Sequence, residues 1–157
     1  MLRAFVFESV AVLVFPWSEP ADPPEQGTRV EVRLLAPEAR RGSFSAAQRF
    51  VIDHPVFRAD LFDRVDAPAG NLLAAHFHPN FEGVEPCDRV WPDEIRHDAA
   101  GWLAGELSDL EHLLARAGVD VTDATVVERD ARALRDAIPV VVAAVTATWD
   151  AVRAPAG

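Results

Sequence analysis

The chain has 157 residues, half of them hydrophobic and a quarter charged, which is the composition of a globular protein long enough to bury a core. Its 25 acids outnumber 15 basic residues, all arginine, for a formal net charge of −10. The excess is spread out, with 13 acids and nine arginines in residues 1–90 and 12 acids and six arginines in residues 91–157.

Nucleic acid binding draws on clustered cations that neutralise phosphates. Here the short Arg40-Arg41 pair is the whole of any such cluster, so nucleic acid is excluded as an expected partner. An acidic surface suits a basic protein partner instead. The lone Cys87 rules out a disulfide within the chain and fits a reducing compartment. The apolar stretch at residues 4–15 is interrupted by Glu8 and Ser9 and falls short of the ~20 residues a bilayer requires. No membrane association is expected, and the expected location is cytoplasmic.

Taken in order, the first ninety residues read as strands and turns. Residues 4–15 are apolar on both faces when extended, which predicts a central strand or two shorter strands joined near Glu8-Ser9. Three prolines and three acids make residues 19–27 a loop. Residues 28–35 alternate, with Val30, Val32 and Leu34 against Arg29, Glu31 and Arg33, as a half-buried strand does. A turn is expected around Arg40-Arg41-Gly42-Ser43, and residues 44–52 fit either a strand or a short helix. Residues 56–65 and 71–78 predict paired strands joined by Asp66-Ala67-Pro68-Ala69-Gly70, a sequence rich in turn formers.

Beyond Trp91 the pattern becomes helical. Asp98 can cap a helix carrying Leu103, Leu107, Leu110, Leu114 and Ala117, with Gly118 at its end. Thr122 or Asp123 can cap another bearing Val127, Ala131, Leu134 and Ile138, which Pro139 then kinks or ends to start a third. Strands first and helices last predict a single α+β domain over residues 1–157, with an N-terminal antiparallel sheet of about five strands and two or three C-terminal helices.

Chemistry is concentrated in residues 76–91, where two histidines, three acids, a thiol and an arginine fall together. On a strand, side chains two apart share a face, so His76 and His78 project together. Two imidazoles so placed form half of a site for a divalent metal such as zinc, iron, manganese or nickel. Glu82 is the nearest carboxylate to complete it, with Glu85, Asp88, His54 and Asp60 as further candidates. The spacing Gly70, His76, His78, Glu82 resembles the first cupin motif, which implies a metal held by those two histidines and Glu82. The second cupin motif has no counterpart here. No Pro-x-Gly turn beside a histidine follows, His97 falls at a helix approach and His112 within helical sequence, and the last third leaves no strands to close a barrel.

Weighed against the metal site is a structural reading, in which the histidines are hydrogen-bonded and Glu85, Asp88 and Arg89 stitch a crossover from sheet to helices. Cys87 is a poor nucleophile, because Glu85 and Asp88 beside it would raise its pKa. Asp60 and Asp63 read as a solvated strand face or ion pairs, and His54 before Pro55 as a turn residue. Trp102 and Trp149 fit the core, while Trp17 and Trp91 beside prolines suit a pocket wall.

Two functions follow as expectations. One is a metal-dependent or histidine-centred enzyme for a small-molecule ligand, with His76, His78 and Glu82 on the metal. Glu85 or Asp88 would then serve as base, and Arg89 would meet an anionic substrate group. The other is a non-catalytic, immunity- or antitoxin-like protein that binds a basic partner through its acidic face. In either case a homodimer is expected if the helix stripes are wider than the sheet can cover.

Overall fold

The computed structural model describes residues 1–38, 50–120 and 122–154. The turn expected around Arg40-Arg41 lies outside them, as does most of the ambiguous segment at residues 44–52.

Five strands, β1 (Arg3–Val6), β2 (Val10–Glu19), β3 (Glu25–Pro37), β4 (Phe50–Arg64) and β5 (His76–His78), lie side by side in chain order, each antiparallel to the next. A two-stranded ribbon follows, β6 (Phe81–Glu82) with β7 (Glu85–Pro86). The helices α1 (Asp93–Ser108), α2 (Leu110–Arg116) and α3 (Ala124–Arg153) complete an α+β arrangement of an open sheet and three C-terminal helices. None of these helices is long and apolar enough to cross a membrane.

Of the two arrangements open for residues 4–15, the chain adopts two short strands. The reversal at Glu8-Ser9 is fixed from far away, because the Asp130 carboxylate accepts from the Glu8 and Ser9 backbone N–H groups at 2.9 and 2.7 Å and from the Ser9 hydroxyl at 2.6 Å. The loop predicted for residues 19–27 is shorter than expected, since β3 already begins at Glu25. His54 is not in a turn but within β4, where Pro55 lacks an N–H for the ladder and the register to β3 shifts beside it. Conversely, residues 71–75 do not join β5. Asp63 accepts from the Gly70 and Leu72 N–H groups, so those donors turn inward instead of pairing with β4.

Residue alternation places Val12, Val14, Val30, Val32, Ala59 and Leu61 on one side of the sheet, where they are fully or almost fully buried. Against them pack Leu103 and Leu107 of α1, Leu110, Leu113 and Leu114 of α2, and Leu134, Val141 and Val145 of α3. The expected helix starting at Asp98 begins earlier, at Asp93. Asp98 instead marks a kink, with non-helical backbone angles, and its carboxylate caps the Gly101 N–H at 2.8 Å. A break at Asp109, whose side chain caps the His112 N–H, divides the predicted stripe into α1 and α2. Asp123 caps α3, which runs unbroken past Pro139 for 30 residues. Its length is about 45 Å at the standard helical rise.

Gly27 lets β3 and β4 close up at the polar end of the sheet. A Cβ there would collide with the Leu61 carbonyl oxygen and come within 2.9 Å of Phe62 Cα.

Candidate metal centre

The strand registers build the site in two rows. Arg29 of β3 is the cross-strand neighbour of Asp60 of β4, which in turn neighbours His76 of β5. One row along, Glu31, Arg58 and His78 stand in the same relation. All six project from the face opposite the helices. Five of them are nonetheless deeply buried, with exposures of 6% for Arg29, 2% for Glu31, 1% for Asp60 and 3% for each histidine.

Each imidazole is oriented by its own segment. His76 Nδ1 donates to the Ala74 carbonyl at 2.8 Å and His78 Nδ1 to the Asp88 carbonyl at 2.7 Å. With Nδ1 protonated, the neutral ring carries its lone pair on Nε2, the tautomer a metal uses. Both Nε2 atoms turn toward Asp60 Oδ2, at 3.4 Å from His76 and 3.8 Å from His78. His76 Nε2 is buried and has no hydrogen-bond partner among the described residues. The rings meet nearly edge to face, 5.0 Å apart, and the Trp91 ring lies 4.6 Å from that of His76.

Asp60 is held from behind. Arg29 Nε donates to Oδ1 at 2.6 Å and Nη2 to Oδ2 at 3.1 Å, while Trp17 lies 4.2 Å from the guanidinium. Burial opposes ionisation of Asp60, but His76, in the form that carries a proton on Nε2, and the hydrogen bonds and charge of the Arg29 guanidinium outweigh it and keep the carboxyl below its ordinary range. Burial pushes His78 down, and the neighbouring His76 acts the same way. At neutral pH the pair therefore presents a carboxylate and a neutral His78 imidazole, the protonation states that metal ligation needs.

The three donor atoms, one from each of Asp60, His76 and His78, lie within 4.8 Å of one another. Ligands on a tetrahedral ion with bonds of ~2.0–2.1 Å sit about 3.3 Å apart, and the two separations from Asp60 are close to this at 3.4 and 3.8 Å. The group borders a cavity of about 380 Å³ whose lining also includes Arg58, Glu85 and Arg89.

The structure brings some sequence candidates together and not others. His76 and His78 converge as expected. Glu82 is exposed on β6, where the turn at Gly83 (φ +62°) closes the ribbon, and it is not one of the three converging donors. Asp60 occupies that place. Glu85 and Arg89 line the cavity. The Asp88 carboxylate points elsewhere, accepting from Asn80 Nδ2 at 2.9 Å, and only its carbonyl serves the site. Cys87 is exposed and outside the lining.

Arg29, Glu31 and Arg58 escape sequence reading because their alternation fits a solvated strand face. The usable signal is the registration of two arginines with two acids across adjacent strands, visible only once β3 and β4 are paired. No family model, curated protein or solved structure matches this chain.

Proposed function

We propose that the protein is a divalent-metal enzyme acting on a small molecule, with the ion held by His76, His78 and Asp60. The observation that carries this reading is the buried Nε2 of His76, which has no hydrogen-bond partner among the described residues and faces a carboxylate that a second imidazole also faces. Buried polar atoms without partners are costly, and a cation shared with Asp60 and His78 would remove that cost for His76 Nε2.

Two imidazoles and one carboxylate suit zinc, iron, manganese or nickel, and three protein ligands leave coordination positions open, as in catalytic sites. A bound ion would supply Lewis acidity and a water acidified to a pKa of about 7. Arg29 fixes Asp60 through both carboxylate oxygens, with Oδ2 also facing the histidines, while the Ala74 and Asp88 carbonyls hold the two rings. Glu85, on the cavity wall, is placed to accept a proton from a substrate or water there. The cavity volume falls within the ~300–1,000 Å³ typical of small-ligand sites.

A protein recognised through its acidic surface draws less support. Glu31, Asp60, Asp63 and Asp130 are buried, and each is engaged by internal donors.

Elemental mass spectrometry of the purified protein, before and after exposure to zinc, iron(II), manganese and nickel, tests the assignment. Near-stoichiometric metal is expected, and its loss in a His76→Gln/His78→Gln variant whose circular dichroism stays native. A wild-type protein that takes up none of the four ions would refute it.

A further inference from the structure

The charges around the site identify what it would bind. Each buried carboxylate on this face already has an arginine. Asp60 is paired with Arg29, and Glu31 is shared between Arg33 at 2.7 Å and Arg58 at 2.8 Å. A divalent ion at His76, His78 and Asp60 would therefore add two positive charges that no buried acid remains to balance. The other acids of the lining, Glu19, Glu25 and Glu85, are partly or fully open to water, where screening weakens their effect.

Two arginines of the same cavity are held ready for an anion. Arg58 spends Nε on Glu31 and rests 5.1 Å from the Phe81 ring, and no described residue accepts from its terminal nitrogens. Arg89 makes no hydrogen bond or ion pair among the described residues. Its guanidinium lies 5.8 Å from the Trp91 ring, which itself lies 4.6 Å from His76. Guanidinium groups match the oxygens of carboxylates and phosphates with paired hydrogen bonds.

We propose that the substrate carries an oxyanion, a carboxylate or phosphate group, which takes an open position on the metal and is gripped on its outer oxygens by Arg58 and Arg89. This rests on the metal reading above and names the chemical class that the site would select. The oxyanion supplies the negative charge that the protein withholds, and the arginines confine binding to anions that present at least two oxygens.

Calorimetric titration of inorganic phosphate, and separately of malonate, into protein carrying one equivalent of metal tests this, with metal content measured independently. Arg89→Gln is the main variant, because Arg89 is exposed and its loss breaks no internal pairing. We expect at least a tenfold weaker anion affinity in Arg89→Gln, with metal stoichiometry unchanged. Arg58→Lys, which keeps the charge on Glu31 but loses the fork, should fall between Arg89→Gln and wild type. Preference between the two titrants tells phosphate from carboxylate substrates. The proposal fails if the metal-loaded wild type binds neither anion, if Arg89→Gln binds them equally well, or if metal-free protein binds them as tightly. A wild type that holds no metal removes the metal reading and this one together, whereas metal without anion binding removes this one alone.

Discussion

The same strands bury two unlike surfaces. Toward the helices, Val30, Val32, Ala59 and Leu61 are closed off by leucines and valines, where burial is its own stabilisation. Toward the other side, Arg29, Glu31, Asp60, His76 and His78 are buried almost as completely, although removing charges from water is costly unless each is matched. The apolar face can tolerate any side chains of suitable volume, whereas the polar face holds only while its pairing is complete. Such pairing is a poor way to gain stability.

Truncating the apolar face should cost the most. Phe57 is fully buried and contacts the Phe77 and Trp102 rings, so Phe57→Ala should lose about 3–5 kcal/mol in urea unfolding. Any fraction that remains folded should still bind metal one to one, because Phe57 faces away from Asp60. Loss of metal from that folded fraction would show that the two faces are not independent.

Asp60→Asn attacks the polar face and should cost slightly less, about 3 kcal/mol, because it leaves the buried Arg29 with the partly exposed Glu19 as its remaining charged partner. A paired replacement, Arg29→Met/Asp60→Leu, sharpens the contrast. Thermal unfolding should place it near or above wild type, while elemental analysis finds no metal. Should the double variant be as unstable as Asp60→Asn, the pair would be a structural requirement and the comparison between faces would lose its basis.

The smallest effect concerns Asp63, where Arg153 Nε donates to the carboxylate at 2.8 Å beside the Gly70 and Leu72 N–H groups. Burial raises its pKa, but Arg153 and the two backbone donors outweigh that and hold it below the ordinary carboxylate value. A depressed folded pKa gives stability that is fully present above the unfolded value of about 3.9 and is lost as pH falls through the folded one. Asp63→Asn should therefore cost about 1–2 kcal/mol at pH 7 and flatten the decline in stability below pH 4. An unchanged acid limb in urea titrations would remove Asp63 from the account.

Much of this architecture is legible in the residues. The alternation of Val30 and Val32 with Arg29 and Glu31 identifies β3, and the leucine spacing from Leu103 identifies the helices. The His76-Phe77-His78 triplet marks the site because period two makes its imidazoles neighbours. What alternation leaves open is what covers the other face, so Arg29 and Glu31 read as solvated when they are interior. The third donor is obscure for a related reason. Glu82 is near in sequence but on a ribbon that turns outward, while Asp60 is sixteen residues upstream and becomes adjacent only through the pairing of β4 with β5. Breaks such as Asp109, and the inward turn at residues 70–72, depend on side-chain caps that periodicity does not register.

One more consequence lies in α3. Its Asp130 fastens the β1–β2 reversal, its Ala144 carbonyl accepts from Arg3 at 3.0 Å, and Trp149 donates to the Leu61 carbonyl at 2.8 Å, so partners up to 141 residues apart are joined by one helix. During synthesis the sheet would leave the ribosome with its valine face incompletely covered until this helix arrives. Closing loops of that span is slow. The nascent chain should thus be a client for chaperones that shield apolar strands, and its folding should be completed late and all at once.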